Sequence, residues 1–303
     1  MVEPIAISLS HRTAAPHTSL SVVAMKSFLH NLRSSRPSLP SSPNFQQAAE
    51  PMTEDKIVDA RQAPSSGEQA ESKTDRPLSV VEFFQSQGCD SCPPTNANLL
   101  RATSSTTPLL PDAIFLTYHV TYWDYLGWKD TFGNSAFDSR QRDYVRGLGL
   151  RNAFTPQVVV NGRASGVGNT KAGLEKVLKE GGAGQLAPAV TIALAHDSNR
   201  NSEEDLIVTV SRRNPAAGLG HDLDVWEVRY DPSEVNVTIE CGENRNEVLP
   251  HKNVVKSIQK VGVVKGDGND AGVMLLGRIH DGLEGVILVQ ERAGGPILAA
   301  AKI

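Results

Sequence analysis

Cys89-Asp90-Ser91-Cys92 follows the apolar run Leu78-Ser79-Val80-Val81-Glu82-Phe83-Phe84 and precedes Pro93-Pro94-Thr95-Asn96-Ala97-Asn98-Leu99-Leu100. The run has the composition of a buried strand, and the segment opened by the two prolines reads as a helix. A Cys-x-x-Cys pair is therefore expected at a strand-to-helix junction. Helix-end amides and the dipole at such a junction stabilise a thiolate, which makes the first cysteine a nucleophile and a metal ligand near neutral pH. Few folds place a dithiol there, and this narrows the choice more than any other part of the chain.

Half of a zinc site has the same appearance, so the pair alone leaves redox, metal and inert structural readings open. A zinc site would need a second pair or histidines at suitable spacing. Cys241 lies about 150 residues downstream, and it is not spaced with His119 and His251 as metal ligands are. No metal is assigned. A second segment favours the redox reading: Phe154-Thr155-Pro156-Gln157-Val158-Val159-Val160-Asn161-Gly162-Arg163 reads as Thr-Pro, a β-branched strand and an Asn-Gly hairpin turn. Thioredoxin-like folds hold a cis-proline just before such a strand, where the preceding backbone pairs with substrate beside the dithiol. A trans proline that merely starts a strand is the other reading.

The order of elements fits. Strand 79–84, a helix to about 104, strand 113–120, a helix over 136–148, the Thr-Pro strand, a partner strand at 163–167 and helix 170–180 give β-α-β-α-β-β-α, the order of a thioredoxin-like domain over 77–186. Asn169-Thr170 supplies the cap of the last helix, and Gly181-Gly182 its stop. From about 187 the pattern turns to period two. Strands are expected at 189–194, 206–210, 223–228, 235–239, 271–279 and 285–290, with 254–259 a short helix or another strand. Residues 187–303 are thus expected to form a small antiparallel β-sandwich-like domain behind the α/β unit.

Residues 1–76 are rich in Ser, Pro, Ala and Gln, a composition that cannot bury enough apolar area to offset the entropy of ordering. They are expected to be a disordered tail or a targeting segment. The first 49 residues hold Glu3 as their one acidic residue against Arg12, Lys26, Arg33 and Arg36, as a mitochondrial transit peptide would. A cytoplasmic protein is the first expectation, with mitochondria the alternative. A formal charge of −4 with no basic patch argues against nucleic acid or an anionic membrane as partner, and no apolar run approaches the 18 or so residues of a bilayer span. Three cysteines do not describe a secreted disulfide scaffold.

Residues 78–303 resemble the family called domain of unknown function 1223, a thioredoxin-like group. Four segments carry the resemblance: Val81 through Pro94; Tyr118-His119-Val120-Thr121-Tyr122-Trp123-Asp124-Tyr125-Leu126-Gly127-Trp128-Lys129-Asp130; Tyr144 through Arg163; and Gly242-Glu243-Asn244-Arg245 with Asn253-Val254-Val255. The resemblance implies the fold, and the family's name leaves its reaction unassigned.

In the redox reading Cys89, at an exposed helix start, attacks, and Cys92, one turn in, resolves. Asp90 between them is expected to draw Cys89 back toward an ordinary pKa and to give a reducing centre, below about −200 mV. Thr155 would offer its backbone to substrate, with Pro156 holding the turn. His119, Trp123 and Asp124 are expected to bind substrate. His119 sits at the strand edge where ligands of open α/β sheets bind and is a candidate proton acceptor for Cys92, against the plainer reading of a core histidine bonded to backbone. Trp123, Tyr125 and Trp128 have packing between the two halves as their plainer reading, and Asp124 with Lys129 an exposed pair. Cys241 reads as a free buried cysteine, with a mixed disulfide to Cys89 the alternative. The expected function is a thiol-disulfide oxidoreductase acting on a protein thiol or disulfide without a cofactor. A thioredoxin-like scaffold protein and a dithiol metal-binding protein are the alternatives.

Overall fold

A computed structural model describes residues 78–103, 110, 112–183, 190–196, 206–212, 221–266, 272–277 and 282–303, all within one compact unit, Pro51–Ile303. The tail or targeting segment expected over 1–76 lies outside the described residues.

Strand β1 (Ser79–Gln85) is buried along its whole length because helices cover both faces of the sheet at this point. It pairs in parallel with β2 (Ala113–His119), from Ser79 opposite Ala113 to Gln85 opposite His119. On its other side it pairs antiparallel with β3 (Gln157–Val160), which turns at Asn161-Gly162 into β4 (Ala164–Gly166). Both turn residues have positive φ, 51° and 61°, the geometry of a type I′ hairpin.

Between these strands run α1 (Cys92–Ala102), α2 (Ser135–Gly147) and α3 (Lys171–Glu180). Alternation along β1 sorts the core. Val81 and Phe83 face Leu99 of α1 and Leu174 and Val177 of α3, whereas Val80 and Phe84 face Phe137 and Tyr144 of α2. Prolines in the first turn suit α1, since their missing N–H groups would have no helical partner there. Asn134 and Thr170 cap α2 and α3, accepting from the amides of Ala136 and Gly173.

Glu82 falls on the α2 face of β1, fully buried. Arg140 Nε and Nη2 donate to its two oxygens at 2.6 and 3.0 Å, and the Tyr144 hydroxyl donates to it as well. The guanidinium lies 5.9, 5.2 and 5.6 Å from the ring centroids of Tyr118, Tyr144 and Trp226. A carboxylate in the otherwise apolar middle of β1 thus ties that strand to two residues of α2.

The second half of the chain builds β5 (Val190–His196), β6 (Leu206–Arg212), β7 (Leu223–Thr238), β8 (Val248–Val264), β9 (Gly272–Leu276), β10 (Glu284–Glu291) and β11 (Ile297–Lys302). It differs from the expected sandwich in how the strands are shared. β7, β8, β10 and β11 extend the first sheet, giving one eight-stranded mixed sheet in the order β11-β10-β7-β8-β2-β1-β3-β4. The join is a parallel bridge of Thr117 with Val254, backed by the Thr117 hydroxyl donating to the Lys252 carbonyl at 2.8 Å. The other three strands form a small antiparallel sheet, β5-β6-β9. Its Val208, Val210 and Met274 pack on Leu223, Val225, Ile287 and Val289. The segments at 223–228 and 235–239 are one 16-residue strand, and 254–259 is the middle of a 17-residue one. Bulges between Val225 and Trp226, Arg229 and Tyr230, and Asp231 and Glu234 break the alternation that would have announced this length.

Candidate functional site

The turn between β1 and α1 is held by its backbone before its sulfurs matter. The Cys89 amide donates to the Ser86 carbonyl at 3.2 Å, and the Gln87 amide to Asp130 Oδ2 at 2.7 Å. Gln87 Oε1 accepts from Trp128 Nε1 at 2.9 Å and from the Thr131 amide at 3.0 Å. From the loop after β7, Asn244 Nδ2 donates to the carbonyls of Gln87 and Cys89 at 2.8 and 3.0 Å. Gly242, with φ of +83°, lets that loop close on Trp128, whose Cβ would be 3.3 Å from a side chain placed there.

Cys89 and Cys92 are free thiols, 3% and 2% exposed. The expected exposed helix start is not what forms: Cys92 is the first residue of α1, and Cys89 lies in the turn ahead of it, roofed by Asn244. Ser91, at the N-cap, makes no side-chain cap. Its hydroxyl lies 3.2 Å from Cys89 Sγ instead, and Thr155 Oγ1 donates to the same sulfur at 3.2 Å. The Cys89 thiol is lowered to about 6. A hydrogen bond from Cys92 is the largest cause; burial opposes it, and Ser91 and Thr155 add to it. Cys92 is pushed well above the ordinary thiol value, first by burial and then by its hydrogen bond to Cys89 and the charge there. Asp90 was expected to hold Cys89 near an ordinary pKa, but it is exposed and the donors around the sulfur set the shift. At pH 7 a thiol of pKa about 6 is thiolate by roughly ten to one.

Thr155 and Pro156 lie beside this pair, joined by a cis peptide bond. The Thr155 carbonyl is 3.8 Å from Cys89 Sγ. Gln141 of α2 supports the approach to the turn, its Nε2 donating to the Phe154 carbonyl at 2.8 Å. Trp123 also belongs here. Its Nε1 donates to Thr155 Oγ1 at 2.7 Å, and Tyr125, 76% exposed, stacks on its indole with centroids 6.0 Å apart.

His119 and Asp124 are placed otherwise. His119 is fully buried at the end of β2, and none of its hydrogen bonds reaches a cysteine. It is bonded to side chains, not to backbone: Nδ1 lies 2.8 Å from Asp130 Oδ2 and Nε2 3.3 Å from Gln85 Nε2. The carboxylate makes Nδ1 the protonated nitrogen, so Nε2 accepts from the Gln85 amide. The second amide hydrogen of Gln85 goes to His251 Nδ1 at 3.2 Å, and His251 is lowered to about 3, burial being the largest cause. Asp130 is held below the usual carboxylate range; burial works against this, but His119 and the Gln87 and Phe132 amides outweigh it. His119 therefore reaches the dithiol turn only through Asp130. Asp124 caps the same segment, its Oδ1 accepting from the Asp130 amide at 3.1 Å, and is not paired with Lys129.

Cys241 is exposed rather than buried, with its sulfur against the Gly127 carbonyl at 2.7 Å. Among the described residues no cluster of three or more His, Cys, Asp or Glu side chains is arranged to hold a metal ion, and no helix is long and apolar enough to cross a membrane. Ser91, Gln87, Asp130 and Asn244 are the site residues that sequence reasoning missed. All four lie within the segments of family resemblance, Gln87 and Ser91 in Val81 through Pro94, Asp130 at the end of the second segment and Asn244 in the fourth.

The model of a family described as protein of unknown function (DUF1223) matches residues 80–290. A crystal structure of a protein from Agrobacterium tumefaciens is 26% identical, covers 74% of this chain and 93% of its own, and superposes with a TM-score of 0.54. HBP35 of Porphyromonas gingivalis is 14% identical over 75% of each chain, with a TM-score of 0.46. No curated protein matches the chain.

Proposed function

We propose that this chain, which belongs to the family of proteins of unknown function DUF1223, is a thiol-disulfide oxidoreductase built on a thioredoxin-like domain. The observation that carries the reading is the unequal pair. Cys89 is surrounded by the hydroxyls of Ser91 and Thr155, which favour its thiolate, while Cys92 beside it is buried and held as a thiol. That division suits attack followed by resolution. The β-α-β-α-β-β-α order, with α1 and α3 on one face of the sheet and α2 on the other, supports the fold assignment, as does the cis Thr155–Pro156 bond next to the sulfurs.

In the reducing direction, the Cys89 thiolate attacks one sulfur of a substrate disulfide. A mixed disulfide forms and the other substrate sulfur leaves as a thiolate. Cys92 then gives up its proton, attacks Cys89 Sγ, and the second substrate sulfur leaves. The substrate gains two electrons, one proton from Cys92 and one from water, and Cys89–Cys92 becomes a disulfide that a thiol reductant must reopen. The reacting sulfur is nearly closed to solvent, with the Thr155 carbonyl beside it and the exposed Tyr125 ring stacked on Trp123 next to Thr155; these features suit a protein or peptide disulfide presented on a flexible segment. A thiol lowered from 9.0 to about 6 stabilises the dithiol form at pH 7 by roughly 1.4 kcal/mol, about 30 mV, and so works against the reducing centre expected from Asp90.

The test is a glutathione titration read by alkylation and peptide mass. A reversible two-electron transition of Cys89 and Cys92 between about −180 and −300 mV is expected. Thiols that stay unreactive under native conditions, or that copurifying zinc or copper protects, refute the proposal in favour of a scaffold or a metal-binding protein.

A further inference from the structure

Thr155 has one hydroxyl proton and several polar groups around it. Trp123 Nε1–H points at Thr155 Oγ1 from 2.7 Å, and an indole nitrogen can only donate. The hydroxyl must therefore accept from Trp123, and its own proton has to point elsewhere. Cys89 Sγ, 3.2 Å away, receives it.

From this chain of two hydrogen bonds we infer that Trp123 is a positioning residue that aims the Thr155 proton at the Cys89 sulfur and so keeps the attacking cysteine a thiolate. The inference rests on the dithiol reading above and adds to it a residue that touches neither cysteine. The indole is held for this task. Trp123 is the residue that precedes the 3-10 turn Asp124–Leu126, and the Leu126 amide donates to its carbonyl at 3.0 Å. Tyr125 stacks on the outer side of its ring. Without the indole N–H, the hydroxyl can turn its proton toward the vacated side, and the sulfur loses part of a charge-assisted hydrogen bond.

The experiment is the pH profile of Cys89 alkylation by iodoacetamide, read at the Cys89 peptide because exposed Cys241 also reacts, with thiolate ultraviolet absorbance as a second readout. Trp123→Phe is expected to raise the Cys89 midpoint by roughly 0.5–1 pH unit, an approximately three- to tenfold loss of thiolate on the acid side. Thr155→Val should raise it by about 1–2 units, and Thr155→Ser should restore the wild-type midpoint. The double variant Trp123→Phe/Thr155→Val should match Thr155→Val alone, because Trp123 acts only through the hydroxyl. Circular dichroism confirms that each variant keeps its fold. An unmoved midpoint in Trp123→Phe, or additive shifts in the double variant, overturns the positioning role while leaving the dithiol reading intact. A wild-type midpoint above about 8 overturns both.

Discussion

Replacing Glu82 with leucine removes the carboxylate that lies between Arg140 Nε, Arg140 Nη2 and the Tyr144 hydroxyl, at a position with no exposure. What remains is a guanidinium only 5% exposed, keeping the Tyr144 hydroxyl at 3.0 Å and the Gln290 amide oxygen at 3.5 Å as its neighbouring oxygens. Neither carries charge. An ion left buried without its counter-ion costs about 3–5 kcal/mol, well above the net gain from the original pair. For a folded unit of this size each kcal/mol moves the melting temperature by about 2–4 °C, so a fall of roughly 6–20 °C is expected. Adding Arg140→Leu to the same chain removes the orphaned charge, and the double variant should recover most of the loss. Urea unfolding followed by circular dichroism measures both. A single variant that costs less than about 1 kcal/mol, or a double variant as unstable as the two singles added together, refutes this account of the cluster.

Two further outcomes follow from the cysteine turn. Cys92→Ala removes the S–H donor that lowers Cys89 most, so the Cys89 alkylation midpoint should move up from about 6 toward the ordinary thiol range, with reactivity lost from the acid side first; a midpoint that stays put would assign the shift to Ser91 and Thr155 alone. Asn244→Ala takes the side-chain donor from the Gln87 carbonyl and leaves the Cys89 carbonyl with the Cys92 amide alone, at a cost of about 1–3 kcal/mol in unfolding free energy and with faster alkylation of Cys89 at fixed pH. Unchanged stability and rate would show that water replaces the amide without loss.

The first half of the fold was legible because its signals are local. The run into Cys89, the prolines of α1, the Thr170 cap and the Asn161-Gly162 turn each act within a few residues of where they stand. The second half was misread where the determinants are distant. That β8 joins β2 depends on a bridge between Thr117 and Val254, and no periodicity along either segment encodes it. The long strands escaped notice because bulges interrupt their alternation, and β11 because it is short and rich in alanine. At the candidate site, the closeness of Cys89 and Cys92 to each other and to a cis Thr155–Pro156 bond could be read from motif and spacing. Trp123 was placed among the substrate-binding residues, but its hydrogen bond to Thr155 was not foreseen. His119 was placed by its strand position, yet its ring serves Asp130 and Gln85. Asp90 misled because charge was weighed without the hydroxyls that the fold brings to Cys89.

Asn244 also gives the site an order of completion. A ribosome releases the cysteine turn long before it reaches the residue that roofs it, since the two are separated by 155 positions from Cys89 to Asn244. Until then a nascent chain carries both thiols on a turn that lacks its Asn244 donor, beside a β2 edge that β8 has yet to cover. In this protein the dithiol turn is therefore completed late in synthesis, when the loop ahead of β8 brings the side chain that ties its Gln87 and Cys89 carbonyls to the second half of the chain.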